Sequence, residues 1–561
     1  MTLANDVAEL DTDTLWDAVV IGSGYGAGAC AARLAQAGAR VCILERGREW
    51  DRFPNDPDSI RNNVQIDHPD FVRQHRLGLY NFHLNDDLDV LVGCGLGGTS
   101  LINASVTIRP DDRVFDSNEW PAAIRNSSLE PYYRRAWDVL GPTPYPASRP
   151  VPRKLAAMES VGARRLDVNV HFDAAGFNNV GVHQEPCTGC GDCITGCNQR
   201  AKKTLCFTYL PLAKAAGARI FVQCDVDHLE RAADGTFAIY YQRVARGDEA
   251  SGEGLRRVRA RRVIVAAGVM GSTGILLRSQ ALGLSISPAL GARFSGNGDA
   301  LAFAYACART MNAVGTGDVV NPLDPTGPTI LSILDGRAGR DLERGIIIEE
   351  GALPGGTATL LRTILPVLSA LRGDDGEHGF VHWFRERFDP TRGLSPGDAL
   401  AHSLVYLIMG HDGSDGLIAL DAQGRPTVRW PALRDRTLFT SEDDRARAVT
   451  EQLGGTFIAN PLFTPPLLNN LITVHPLGGC PMGDDGGAGV VDDRGRVFDA
   501  SGAITEGLYV ADGSVIPRSI GVNPLLTITA VAERIAEAIV NDMGLAFVDR
   551  SVIPVAQRTA G

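Results

Sequence analysis

An α/β protein is predicted, with a Rossmann-like nucleotide-binding domain interleaved along the chain with a second domain. Three observations predict it. Residues 16–47, WDAVVIGSGYGAGACAARLAQAGARVCILERG, read as strand, glycine turn, helix and strand. Glycine-rich turns after short apolar runs recur near residues 93 and 268. Between about 295 and 470 those fingerprints stop, and the final hundred residues return to them. The expected division is 12–130, 200–295 and 471–550 for the nucleotide-binding domain, 131–199 for a linker with a cysteine-rich segment, and 296–470 for a substrate-binding domain.

Asp17 to Ile21 is a short Val- and Ile-rich run, expected to be a buried parallel strand. Gly22-x-Gly24-x-x-Ala27 follows at once, with Tyr25 and Gly26 inside the turn. Gly22 permits a tight turn, Gly24 lets the backbone approach a pyrophosphate at a helix N-terminus, and Ala27 permits close helix–strand packing. Gly38 ends the helix and Val41 to Leu44 makes the second strand. Glu45 at its end is placed to accept hydrogen bonds from a ribose. Residues 47–86 are polar and irregular, a surface excursion expected to cover the bound nucleotide.

Asp89 to Val92 reads as a strand entering the turn Gly93-Cys-Gly-Leu-Gly-Gly-Thr-Ser100, followed by Asn103. Such a loop, with Gly97, Gly98 and Thr99, can bring backbone N–H groups up to a flat or anionic ligand. Residues 141–152 (GPTPYPASRPVP) read as a linker, Ala218 to Val226 as one strand, and Val263 to Ala267 as a buried strand. Gly268 and Gly271-Ser-Thr-Gly274 then precede a helix. Thr357 to Leu371, interrupted by Pro366, is either a kinked core helix or a lipophilic access lid.

With 561 residues, 44% of them apolar, the chain has material for two or three domains. A net charge of -12 argues against nucleic acid and anionic membrane surfaces as partners. No apolar run reaches the length of a transmembrane segment. The acidic N-terminus does not resemble a secretory signal, and eleven cysteines without one suggest thiols or metal ligands rather than disulfides. A cytoplasmic location is expected.

Two stretches near the C-terminus carry the chemistry. One is Thr473-Val-His475-Pro-Leu-Gly-Gly-Cys-Pro-Met-Gly483. A histidine before proline can be a turn residue bonded to backbone, or a base. The other begins with a strand, Leu508 to Ala511, that ends in Asp512, poised for a cofactor hydroxyl. It continues to Asn523 and Pro524, which fit the N-cap and N1 positions of a helix from Leu525 onward. The partly positive end of that helix suits a ligand that accumulates negative charge, such as a reduced flavin.

The segments VIGSGYGAG, GCGLGGTSLINA, VIVAAGVMGSTGILLRS, TVHPLGGCPMG and GLYVADGSVIPRSIGVNPLLTITAVAER resemble, in order, those of the glucose–methanol–choline (GMC) oxidoreductase family, cholesterol-oxidase-like branch. The resemblance implies FAD, held by a Rossmann-like domain interleaved with an α+β substrate-binding domain of antiparallel sheet plus helices. It implies oxidation of an alcohol by hydride transfer to flavin N5. By position, His475 and Asn523 become the catalytic pair, His475 holding or deprotonating the hydroxyl and Asn523 orienting the substrate or contacting the flavin edge. Val226 matches a backbone contact to adenine, and Asp512, Pro524 and Leu525 match flavin-domain contacts. The branch can also use an active-site glutamate to isomerise a β,γ-unsaturated ketone. In Ile346-Ile-Ile-Glu349-Glu350, Glu349 aligns best and Glu350 is a near rival; two solvated glutamates at a strand end is the plain alternative.

Cys187, Cys190, Cys193 and Cys197 follow the spacing C-x2-C-x2-C-x3-C of a bacterial ferredoxin run, with Asn198 where proline is usual. An iron–sulfur cluster, with Cys197 or Cys206 as fourth ligand or with three ligands only, is one reading; zinc and simple thiols are the others. The expectation is an FAD-dependent oxidoreductase acting on a lipophilic, sterol-like secondary alcohol. Its acceptor is oxygen or an electron-transfer partner, the latter reached through an iron–sulfur cluster. Alternatives are a dehydrogenase of sugars or long-chain alcohols on the same fold, or a flavin/thiol electron-transfer or redox-sensing module.

Overall fold

Short runs of Val, Ile and Ala without a polar residue suit strands covered on both faces. In the computed structural model, which describes residues 2–11, 13–67, 77–244, 254–339, 341–357, 396–459 and 471–558, such runs form the middle of a six-stranded sheet. Its order is Arg219–Phe221, Val41–Leu44, Ala18–Ile21, Val263–Val265, Ile504–Val510 and Arg496–Phe498. The first five strands are parallel and the last is antiparallel. The helix Tyr25–Gln36 packs on the helix Leu525–Asp542, which ties the two ends of the chain together. Between them Arg33 is fully buried against Glu533, whose carboxylate also accepts the Tyr209 hydroxyl. A Cβ at Gly26 would stand 1.6 Å from the Ala511 carbonyl oxygen, so glycine is what lets this helix approach the end of the strand Ile504–Val510.

A second six-stranded sheet is antiparallel throughout, in the order Thr456–Ala459, Ala300–Tyr305, Leu404–Met409, Ile347–Gly351, Ser332–Asp335 and Arg164–Arg165. Alternating burial along Leu404–Met409 is what a sheet with two unlike faces requires. A four-stranded sheet of Leu471–Thr473, Leu88–Gly93, Tyr80–His83 and Val64–Asp67 bridges the region between them.

The structure differs from the sequence reading at several places. The excursion at 47–86 contributes two strands to the bridging sheet, and Asp67, Tyr80, Asn81 and His83 line the central cavity. The single strand expected over Ala218–Val226 is two, Arg219–Phe221 and Cys224–Arg231, in different sheets, because Gln223 adopts a left-handed conformation (φ +61°) between them. The helix expected after Gly274 begins at Gly268, whose φ of +78° makes the turn. The segment 131–199 is more than a linker, since it contributes the helix Arg153–Ser160 and the edge strand Arg164–Arg165. The apolar stretch at 358–371 lies outside the described residues.

Candidate active site

A cavity of about 790 Å³ opens where the parallel and antiparallel sheets approach each other, within the range of small-molecule sites. Gly22, Gly24, Tyr25, Gly26 and Glu45 line one part of it, with Gly98, Thr99 and Asn103 from the second glycine turn. A Cβ on Gly24 would project into open space, and one on Gly98 would come within 3.0 Å of the Gly24 Cα. The two glycine turns thus meet edge to edge and leave bare backbone facing the cavity. Gly97 lies one step behind: its N–H donates to Ser23 Oγ (2.9 Å), and the Ser23 hydroxyl donates to Glu45 (2.6 Å). Burial raises the pKa of Glu45, against the pull of Ser23 and the Gly47 N–H. Asn103 donates to the Tyr25 hydroxyl (2.7 Å).

Val226, Asp512, His475, Asn523, Pro524 and Leu525 line the same cavity. Asp512 was expected to await a cofactor hydroxyl, yet its carboxylate already accepts from the Gly268 N–H, the Ser272 hydroxyl, and the N–H and hydroxyl of Ser514 at 2.5–2.9 Å. Asn523 does not cap the terminal helix. Pro524 occupies the cap position without a side-chain cap, and the first turn opens on the cavity. The Asn523 amide turns away and donates to Glu349 Oε2 (3.2 Å). Among the described residues, Asn523 Oδ1 and Glu349 Oε1 are buried with no protein partner, an arrangement that invites a ligand or a proton.

Strand alternation separates the two rival glutamates. Glu349 is directly opposite Leu407, which is opposite Leu301; Gly351, Val405 and Phe303 form the next such row. Leu301, Phe303, Val405 and Leu407 line the cavity, so Glu349 shares its face of the sheet and sits beneath Asn523. Burial among apolar side chains pushes the Glu349 carboxyl up to about 8. Glu350 points to the other face, where it pairs with the buried Lys154 (3.0 Å) and accepts from Leu331 and Ser332.

His475 follows the strand Leu471–Thr473. Its Nδ1 lies 2.9 Å from Asp299 Oδ1, while Asp299 Oδ2 accepts the backbone N–H groups of Val474 and His475. Sequence reasoning missed Asp299. It lies 176 residues from His475, and an aspartate after Gly-Asn-Gly resembles any turn residue.

Cys187, Cys190, Cys193 and Cys197 line one cavity of about 40 Å³. Backbone N–H groups of Gly189, Asp192, Ala201 and Lys202 point at three of the sulfurs, and burial raises the pKa of the Cys187, Cys190 and Cys197 thiols. The buried Lys202 amine donates to the carbonyls of Leu101, Asn103 and Cys193. All four cysteines are free thiols, and among the described residues no group of three or more Cys, His, Asp or Glu side chains is arranged to hold a metal ion. The expected metal site at these cysteines therefore gains no support from the geometry.

Comparison with known proteins decides the family. The GMC oxidoreductase models match residues 20–296 and 467–532. A cholesterol oxidase of Mycobacterium tuberculosis is 30% identical over 93% of this chain and 90% of its own. The chain belongs to the GMC oxidoreductase family. It is an FAD-dependent oxidoreductase acting on CH–OH groups. A cholesterol oxidase of Acinetobacter baumannii is 27% identical over 92% of this chain and 93% of its own. A long-chain-alcohol oxidase of Arabidopsis thaliana is 24% identical over 93% of this chain and 66% of its own. A fungal aryl-alcohol oxidase structure shares the fold, with a TM-score of 0.54 at 16% identity, over 95% of this chain and all of that one. The residues present fit FAD: bare glycine backbone, an uncapped helix N-terminus and a buried acid after the second strand surround one cavity. No helix among the described residues is long and apolar enough to cross a membrane.

Proposed function

We propose that this GMC enzyme oxidises a lipophilic, sterol-like secondary alcohol to the ketone. The observation that carries the substrate class is the apolar wall of Leu301, Phe303, Val405 and Leu407 facing His475 and Asn523 across one cavity. The similarity to cholesterol oxidases supports it. That wall offers a sugar no hydrogen-bonding side chain, which disfavours a polyhydroxylated substrate. When bound, the flavin supplies the hydride acceptor.

The glycine turns, Val226, Asp512 and the open turn at Pro524 and Leu525 hold the cofactor in this reading. Gly97 and Glu45 shape that cradle. His475 receives the hydroxyl proton, and Asn523 orients the alcohol through its unpartnered Oδ1 or its amide. Glu349, neutral below about pH 8, ionises above it and then moves a proton on a β,γ-unsaturated ketone. Anaerobic mixing with sterols, long-chain alcohols and pyranoses tests the substrate class. Bleaching of the flavin by sterols is expected; bleaching by pyranoses alone would sink the proposal. With an unsaturated sterol, Glu349→Gln is expected to release the unconjugated ketone. Conjugated product from that variant removes Glu349 from the reaction.

Oxygen or an electron carrier takes the electrons in the second half-reaction. An exit through iron and sulfide at Cys187, Cys190, Cys193 and Cys197 is supported by their spacing and their common cavity, not by a metal-holding arrangement, so no step is routed through it. Iron and acid-labile sulfide per flavin, in protein purified without oxygen, decide it. About three or four irons per flavin restore the cluster, and none retires it. A cytoplasmic location completes the proposal, to be checked by fractionation of cells.

A further inference from the structure

We propose that Asp299 is the positioning residue for His475, fixing the imidazole with its proton on Nδ1 and its Nε2 lone pair available to the substrate. The inference rests on the role of His475 as proton acceptor. Asp299 is 3% exposed and immediately precedes the strand Ala300–Tyr305 of the antiparallel sheet. Its Oδ2 accepts the N–H groups of Val474 (2.8 Å) and His475 (3.0 Å) and lies 2.9 Å from Thr473 Oγ1. Its Oδ1 is left for His475 Nδ1 at 2.9 Å. One carboxyl group therefore grips both the backbone and the ring of the same histidine, from the opposite domain.

The tautomer follows from donor counting. The Asp299 carboxylate, already holding two backbone amides on Oδ2, only accepts. Nδ1 must then be the donor, and Nε2 carries the lone pair. Among the described residues no protein group bonds Nε2, and His475 lines the cavity. As the alcohol O–H bond breaks, the proton bonds to Nε2, its electron pair stays on the alcohol oxygen, and the imidazolium gains the Asp299 carboxylate as counter-charge. The buried carboxyls of Glu349 and Glu442 lie near Asp299, and burial pushes both above the usual carboxylate range.

Asp299→Asn tests the assignment. The backbone N–H groups of Val474 and His475 demand an acceptor, so the asparagine oxygen takes them and its NH2 faces Nδ1, reversing the tautomer. In holoenzyme with 15N-labelled histidines, the His475 signal is assigned by its absence in His475→Gln. The unprotonated nitrogen is expected to be Nε2 in the wild type and Nδ1 in Asp299→Asn. Flavin reduction by alcohol is expected to fall about 10²- to 10⁴-fold, the range of general-base catalysis. In a His475→Gln background, Asp299→Asn is expected to subtract nothing more.

A wild-type His475 protonated on Nε2 overturns the assignment even if no Asp299 variant folds. So does a loss of rate that persists in full in the His475→Gln background, which marks a structural role. Asp299→Glu, which keeps the carboxylate, is expected to retain the wild-type tautomer and recover part of the rate. If no alcohol reduces the wild-type flavin, the proposed function fails, while the tautomer still reports on Asp299.

Discussion

Glu349→Gln isolates the energetic consequence of placing an acid on an apolar sheet face. Glu349 has no exposed surface, one oxygen bonded to Asn523 and, among the described residues, one without a partner, and burial pushes its carboxyl up to about 8 against 4.5 for an ordinary glutamate. The sign follows from proton counting. Below pH 4.5 both folded and unfolded chains hold the proton, and the group is neutral to stability. Between about 4.5 and 8 the folded chain keeps a proton that the unfolded chain has released, so stability falls as pH rises. The slope is roughly 1.4 kcal/mol per pH unit, or on the order of 3 kcal/mol between pH 5.5 and 8. Glutamine occupies the same volume and does not titrate, so the variant escapes this loss. With an unfolding entropy of about 2.1 cal/mol/K per residue, 1 kcal/mol moves the Tm of a chain this long by about 1 °C. Thermal unfolding of both holoenzymes, followed by circular dichroism, is expected to show the variant gaining about 3 °C on the wild type between pH 5.5 and pH 8. A difference independent of pH, or one that shrinks as pH rises, would refute a buried neutral Glu349.

Other changes test other parts of the site. His475→Gln is expected to bind FAD normally, as read from the flavin spectrum, while alcohol-driven reduction in a stopped-flow instrument falls about 10²- to 10⁴-fold. Gly26→Ala places a methyl group on the Ala511 carbonyl; the expected outcome is protein without flavin, seen in the absorbance ratio at 450 and 280 nm, both wavelengths chosen as roughly the flavin and protein maxima. Lys154→Met leaves Glu350 as an unpaired buried charge and is expected to cost about 3–5 kcal/mol, measured by urea unfolding. Intact alcohol oxidation by Lys154→Met at low temperature would fit a structural pair; loss of oxidation with unchanged stability would not.

Much of the nucleotide-binding half could be read from the chain because its signals are local. Gly22, Gly24, Tyr25, Gly26 and Glu45 follow one another within a single strand–helix–strand unit, and all five line the cavity. The substrate half has no such signature. Glu349 and Glu350 are neighbours with the same chemistry, and only the pleat, with Lys154 waiting on one face and Asn523 on the other, separates their roles. Asp299 could not be found because its partner lies 176 residues away along the chain. Asn523 was misread for a related reason. An Asn-Pro pair before an apolar helix is a good local cap signal, but Glu349, brought in by the other sheet, claims the amide instead. The cysteine run is a different case: its spacing is that of a ferredoxin run, while among the described residues no three of its side chains are arranged to hold a metal ion.

The wiring of the parallel sheet sets a schedule for biosynthesis. The strand Ile504–Val510 pairs with Val263–Val265, and the helix Leu525–Asp542 covers Tyr25–Gln36 with Glu533 neutralising the buried Arg33. Until those last segments leave the ribosome, the helix Tyr25–Gln36 lacks its covering helix and Val263–Val265 lacks its outer neighbour. At about 5–20 residues per second the nascent chain waits tens of seconds to more than a minute in that state. Arg33 lacks its counter-charge during the wait. Flavin capture is expected to follow the arrival of the terminal helix, whose first turn lines the cavity. A stop codon anywhere before the terminal helix is expected to yield a chaperone client, not a weaker enzyme.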